Sequence, residues 1–123
     1  MLAHVSIQCA DLKASARFYD AVLAPLGGER AMESDDAIGY GVPPAAEFWI
    51  GCQLTGDGFQ ETHIAFQAPD RDAVRAFFTA ALATGAEPLH GPQLWPQYDP
   101  DYYGAFVRDP DGNNIEAVCH KPE

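Results

Sequence analysis

Residues 4–24 and 63–83 are two versions of one segment. Sliding the chain by 59 residues lays HVSIQCADLKASARFYDAVLA on HIAFQAPDRDAVRAFFTAALA without a gap, and eight of 21 positions are identical. Those eight are His4/His63, Gln8/Gln67, Asp11/Asp70, Ala14/Ala73, Phe18/Phe77, Ala21/Ala80, Leu23/Leu82 and Ala24/Ala83. A unit this long that occurs only twice is not a solenoid repeat. It is a duplicated half-domain, and any fold proposed for one half must serve the other.

Each half opens with alternation. Val5, Ile7 and Cys9 interleave with His4, Ser6 and Gln8, as Ile64, Phe66 and Ala68 do with His63, Ala65 and Gln67. Period two predicts a strand with one apolar face, the histidines and glutamines lying on the other. Asp11 and Asp70 then stand as N-caps of predicted helices. In the second helix Val74, Phe77, Phe78, Ala81 and Leu82 recur at helical spacing, and Gly85 supplies a stop, as Gly27-Gly28 do after the first. Three short strands are expected after each helix: 29–33, 37–42 and 47–53 in the first half, 87–90, 102–108 and 114–120 in the second. Pro43-Pro44 break the first set, and Asp109-Pro110-Asp111-Gly112 is a hairpin turn in the second. The expected class is α+β, two βαβββ modules. A single domain over 1–123 is expected, with module 1 at about 1–56 and module 2 at about 57–123.

Composition narrows the partners. Seven Lys+Arg against 18 Asp+Glu give a net charge of −11, which disfavours nucleic acid and anionic membranes. No apolar run approaches a membrane span, and the first residues lack the pattern of a signal peptide. Three cysteines without paired spacing, Cys9, Cys52 and Cys119, read as reduced thiols on apolar strand faces, and the expected location is the cytoplasm.

The ends of the halves also align, EFWIGCQ (47–53) on NIEAVCH (114–120), which sets Trp49 against Glu116. Two positions per half are therefore equivalent, and His4, His63 and Glu116 fill three of the four while Trp49 fills the last. Two imidazoles and a carboxylate suit a borderline divalent ion (Fe, Mn, Ni, Co or Zn) and leave coordination positions open. Trp49, with its strand-mates Glu47 and Gly51, reads as a pocket wall, Gly51 leaving room for a ligand. Tyr102 and Phe106 are further pocket candidates. His90 and His120 fall near strand ends and read as solvated, although His120 shares parity with Glu116. Residues 91–101, GPQLWPQYDPD, exceed an ordinary hairpin loop and read either as a lid or as a dimer contact.

The opening His4 strand, the ASARFYDAVL helix, His63 in ETHIAF and the ending RDPDGNNIEAV resemble, in that order, the vicinal oxygen chelate superfamily of glyoxalase I, extradiol dioxygenases and fosfomycin and bleomycin resistance proteins. The resemblance spans essentially the whole chain. It implies paired βαβββ modules that form a curved mixed sheet around a central cavity, with His4, His63 and Glu116 on ligand positions of a divalent metal. It also implies a lyase or dioxygenase acting on an oxygen-chelating small molecule, or alternatively a protein that sequesters a small ligand without catalysis. Homodimers are common in such families. Glyoxalase I enzymes place a carboxylate that is both ligand and base where this chain has Trp49. Extradiol dioxygenases place a tyrosine where it has Phe106.

Overall fold

The computed structural model describes residues 1–123 apart from 53, 54 and 57. The chain runs β1 (Val5–Gln8), α1 (Leu12–Leu23), β2 (Glu29–Glu33), β3 (Ala37–Gly41), β4 (Phe48–Gly51), β5 (His63–Gln67), α2 (Arg71–Ala83), β6 (Pro88–Leu94), β7 (Tyr103–Arg108) and β8 (Asn114–Cys119), with a 3₁₀ turn at Ala24–Leu26. Each βαβββ module makes its own four-stranded sheet, ordered β1-β4-β3-β2 and β5-β8-β7-β6. In both sheets the first strand pairs parallel with the last, and the remaining pairs are antiparallel.

Both helices start where the sequence says. The Asp11 carboxylate accepts the Ala14 N–H at 3.2 Å, and Asp70 accepts that of Ala73 at 2.7 Å. Each cap is worth about 1 kcal/mol. Gly85 stops α2 with φ +87°, a left-handed conformation that costs other residues energy. The helices bury one stripe each, with Phe18, Tyr19 and Val22 from α1 and Val74, Phe77 and Ala81 from α2, against Ile50, Ile115 and Ala117 of the sheets. Leu82, expected in that stripe, is 44 % exposed.

Two strands depart from expectation by more than one residue. The last strand of module 1 spans only Phe48–Gly51, so Cys52 falls beyond its end and is exposed, while Cys9 and Cys119 are buried as expected. Gln53, the end of the expected strand, lies outside the described residues. The first strand after α2 runs on through Pro92 to Leu94. A proline is tolerated there because β6 is the edge of its sheet, where an N–H can go unpaired, and two register shifts absorb the irregularity.

The modules are joined by polar contacts, one exposed and one buried, as well as packing. The β7–β8 turn reaches α1, where Asp111 accepts the Ala10 N–H at 2.9 Å and Asp109 accepts the Tyr19 hydroxyl. Phe48 and Phe66 meet edge to face at 5.0 Å. No described helix is long and apolar enough to cross a membrane.

Candidate functional site

On the sheet face away from α2, the parallel register sets Ala65 beside Glu116, so His63 is a diagonal neighbour of that glutamate on the same face. The geometry follows directly. His63 Nε2 and Glu116 Oε1 are 2.9 Å apart, with Glu116 buried and the His63 side chain 51 % exposed. The other oxygen, Oε2, accepts the hydroxyl of Tyr102. Burial first, and then that carboxylate, push the Tyr102 pKa up, so the phenol keeps its proton and remains the donor.

Phe106 lies directly across from Glu116 in β7 and is buried, although it is not part of the core beneath the helices. Rings cover it: His63 at 6.0 Å, His90 at 5.7 Å and Trp95 at 5.2 Å between centroids. Tyr102 touches Tyr98 and His120, both at 5.0 Å, and His120 Nδ1 is 3.0 Å from Asp99. The segment read as a lid or dimer contact therefore divides. Its first four residues belong to β6, and the rest folds back beside β7 through the Trp95 indole N–H, which donates to the Gly104 carbonyl at 3.1 Å.

In module 1 the register is the same, with Trp49 between Ser6 and Gly39 as Glu116 lies between Ala65 and Phe106. The side chain behaves differently. The Trp49 indole lies over Gly39, where an added Cβ would come within 2.7 Å of its ring, and Nε1 donates to the Ala46 carbonyl at 3.0 Å. His4 precedes β1, is exposed, and meets Trp49 edge-on at 6.4 Å. Glu47 is exposed just before β4, and a groove of about 380 Å³ holds both His4 and Glu47 together with Ile64 and Ala65 of β5. Gly51 leaves no ligand space, because a Cβ there would meet the Asp36 carbonyl at 3.3 Å and Ala37 at 3.5 Å.

The structure thus brings His63, Glu116, Tyr102 and Phe106 together and leaves His4, Trp49 and Glu47 on the other module. His90, read as solvated, is exposed but also lays its ring against Phe106, and Trp95 carries no sequence signal of its role because it has no counterpart in the repeat. Gly104, inside a strand, was a readable signal of close approach. Among the described residues no three His, Cys, Asp or Glu side chains cluster closely enough to hold a metal ion. His63 and Glu116 together are one imidazole and one buried carboxylate, donor types that suit a borderline divalent ion.

Residues 4–118 match the glyoxalase-like domain family. A glyoxalase/bleomycin resistance protein from Albidiferax ferrireducens T118 is 31 % identical, with a TM-score of 0.81 and 97 % of each chain covered. The fold also resembles that of a glyoxalase/bleomycin resistance protein/dioxygenase family enzyme from Burkholderia phytofirmans PsJN, at 18 % identity and TM-score 0.73, covering 97 % of this chain and 98 % of that one. Lactoylglutathione lyase from Agrobacterium tumefaciens shares the fold at 19 % identity and TM-score 0.69, over 97 % and 92 % of the two chains. No curated protein matches the sequence. The chain belongs to the glyoxalase-like domain family, within the vicinal oxygen chelate superfamily.

Proposed function

We propose that the protein is a small cytoplasmic metal-dependent enzyme of glyoxalase or dioxygenase type, acting on a small molecule that chelates through oxygen. The observation that carries this reading is the buried Glu116 carboxylate 2.9 Å from the half-exposed His63 imidazole. A carboxylate this deeply buried needs a compensating charge or donors. His4 is the candidate for the remaining position, because it belongs to the equivalent site of the other module and, among the described residues of one chain, no third ligand joins His63 and Glu116. The centre is then shared, with His63 and Glu116 from one copy and His4 from a second, and the working unit is a homodimer. The whole of 1–123 forms one domain of this type, its modules meeting near residues 56 and 57.

His63, Glu116 and His4 would hold such an ion, which would supply Lewis acidity toward a chelating pair of substrate oxygens. The chain's own groups do the rest. Glu116 and His63 fix the ion's position, Tyr102 holds a proton at Oη, and Trp49 and Phe106 give the pocket its shape. With Trp49 where a fourth ligand would stand, the indole nitrogen is only a donor and coordinates nothing. The four-ligand glyoxalase I reaction is therefore not the activity proposed. A second reading, ligand sequestration without metal, is favoured by one observation: both Glu116 oxygens already have partners within the chain.

Titrating chelator-treated protein with Zn²⁺ or Ni²⁺, and following the imidazole resonances of all four histidines, separates the readings. His4 and His63 should shift at saturation. Unmoved His4 and His63, with His90 or His120 responding instead, would reject the proposed centre.

A further inference from the structure

A chain of net charge −11 has only seven Lys and Arg side chains, and three of them meet in one place. Arg71, Arg75 and Lys121 line a pocket of about 290 Å³ where the start of α2 lies beside the end of β8. Cys119, which also lines it, stands three residues after Glu116 on β8 and so faces the other side of the sheet. The pocket is therefore separate from the His63–Glu116 pair and needs no metal.

Arg71 is the unusual member. Its side chain is only 12 % exposed, and its Nε is buried with no hydrogen-bond partner among the described residues. The terminal nitrogens approach carboxylates only at 4.0 Å (Asp101) and 3.7 Å (Glu123), beyond hydrogen-bond distance. A guanidinium this buried is costly without a hydrogen-bonded anion. Arg75 has one, the Asp72 carboxylate at 2.7 Å. Lys121 Nζ donates to the Pro69 carbonyl at 3.0 Å and, with three N–H groups, can donate further.

The two arginines are also fixed in place. Both guanidinium carbons lie over the Tyr103 ring, 5.1 and 5.4 Å from its centroid, and Arg75 Nη1 donates to its hydroxyl at 3.0 Å. One helical turn apart, they are like charges that repel unless an anion joins them. The fold does not require this arrangement. Sliding one half on the other puts Leu12 and Ala16 where Arg71 and Arg75 stand, and in α1 both pack on the core.

We propose that this pocket binds the phosphate group of a small molecule. The planar fork of Arg71 suits two oxygens of one phosphate, and Lys121 brings a point charge to a third. A carboxylate, with two oxygens, would satisfy fewer of these donors. The volume lies near the lower end for ligand sites and fits a phosphate with a small attached group. The acids around the pocket leave room for that anion. Asp70 caps α2 through the Ala73 N–H, Asp72 holds Arg75, and Glu123, its side chain 75 % exposed, gives way to the phosphate at Arg71.

The test titrates inorganic phosphate into the isotope-labelled 123-residue chain at constant ionic strength, with acetate as the second probe and NaCl as the balancing salt. The Arg71 Nε–H and Lys121 amide resonances should follow saturable curves with phosphate, and acetate should bind about tenfold more weakly. Arg71→Gln and Lys121→Gln should each weaken phosphate binding by about tenfold, while Glu123→Gln should tighten it. Arg17→Gln, at an exposed position on α1, should leave it unchanged. Shifts that never saturate and are equal for phosphate and acetate would show charge screening alone and overturn the proposal. Unchanged phosphate affinity in Arg71→Gln and Lys121→Gln would overturn it equally, and acetate binding as tight as phosphate would reject the phosphate assignment. Should Arg71→Gln fail to fold without its stack on Tyr103, Lys121→Gln, at an exposed position, decides the question alone.

Discussion

Tyr19 on α1 donates its hydroxyl to Asp109 Oδ2 at 2.7 Å, tying the first module to the β7–β8 turn of the second. Both residues are buried, and Asp109 also accepts the N–H groups of Asp111 and Asn113 and the Asn113 side-chain amide. Burial, and then the charge of Asp109, drive the Tyr19 pKa upward, so it is a donor at every physiological pH. Tyr19→Phe removes that donor from a buried charge. It should lower stability by about 1–3 kcal/mol, read as a reduced urea midpoint at unchanged slope. No change in midpoint would mean that the contact across the modules contributes nothing.

Trp49→Glu tests the contrast between the halves. If the centre is assembled as proposed, a carboxylate at this position adds a fourth ligand and should tighten Zn²⁺ by about tenfold or more, roughly 1.4 kcal/mol. Calorimetric titration of both proteins measures it. Wild-type turnover of the methylglyoxal–glutathione hemithioacetal, with Ni²⁺ or Zn²⁺ supplied, should be absent or very slow, because the proton-abstracting carboxylate is missing. Robust turnover that survives Glu47→Gln would place the base elsewhere.

The three thiols should separate by reactivity. Cys9 and Cys119 are 4 % and 1 % exposed, and burial raises the Cys9 pKa, whereas Cys52 is exposed beyond the end of β4. Brief alkylation under native conditions, read by mass spectrometry, should add one label, on Cys52, and two more only after denaturation. Fast labelling of Cys9 would contradict the packing of β1 against α1.

Asp20 carries a pH dependence of definite sign. Its carboxylate accepts from Arg30 at 2.9 and 2.7 Å and from the Tyr40 hydroxyl at 2.8 Å. Burial, the largest single influence, pushes its pKa up, but Arg30 and Tyr40 together outweigh it and hold the carboxyl below its ordinary range. A depressed folded pKa contributes stability above the unfolded value of about 3.9, and that contribution is lost as pH falls through the lower folded value. The stability gap between wild type and Asp20→Asn should therefore be steady near neutrality and close in acid. A gap that persists at pH 2 would contradict this.

The duplication made the architecture legible, because every alternation and cap in one half had to recur in the other. Asp11 and Asp70 were readable as caps, and His63 with Glu116 as neighbours, since residues on regular strands keep their faces. Tyr102 was harder to read. It sits at the end of an irregular turn, where no period fixes direction, and sequence parity suggested a pocket wall rather than a partner for Glu116. His4 shows the same limit from the other side: β1 begins at Val5, so alternation has no hold on the residue before it. The course of β6 through Pro92 escaped because tolerance of proline depends on a strand being at an edge, a property of the assembled sheet.

Trp49 and Glu116 occupy one and the same address in two copies of one sheet, the first laid over Gly39 and the second a buried carboxyl. Duplication alone would give two interchangeable halves, which a bound molecule could enter either way round with equal energy. With an indole at one address and a carboxyl at the other, that two-fold degeneracy is lifted. Under the proposed reading, the electron-poor or cation-bearing end of a guest would be drawn toward one half and its flat or apolar end toward the other, so a symmetric scaffold would acquire a fixed sense of approach.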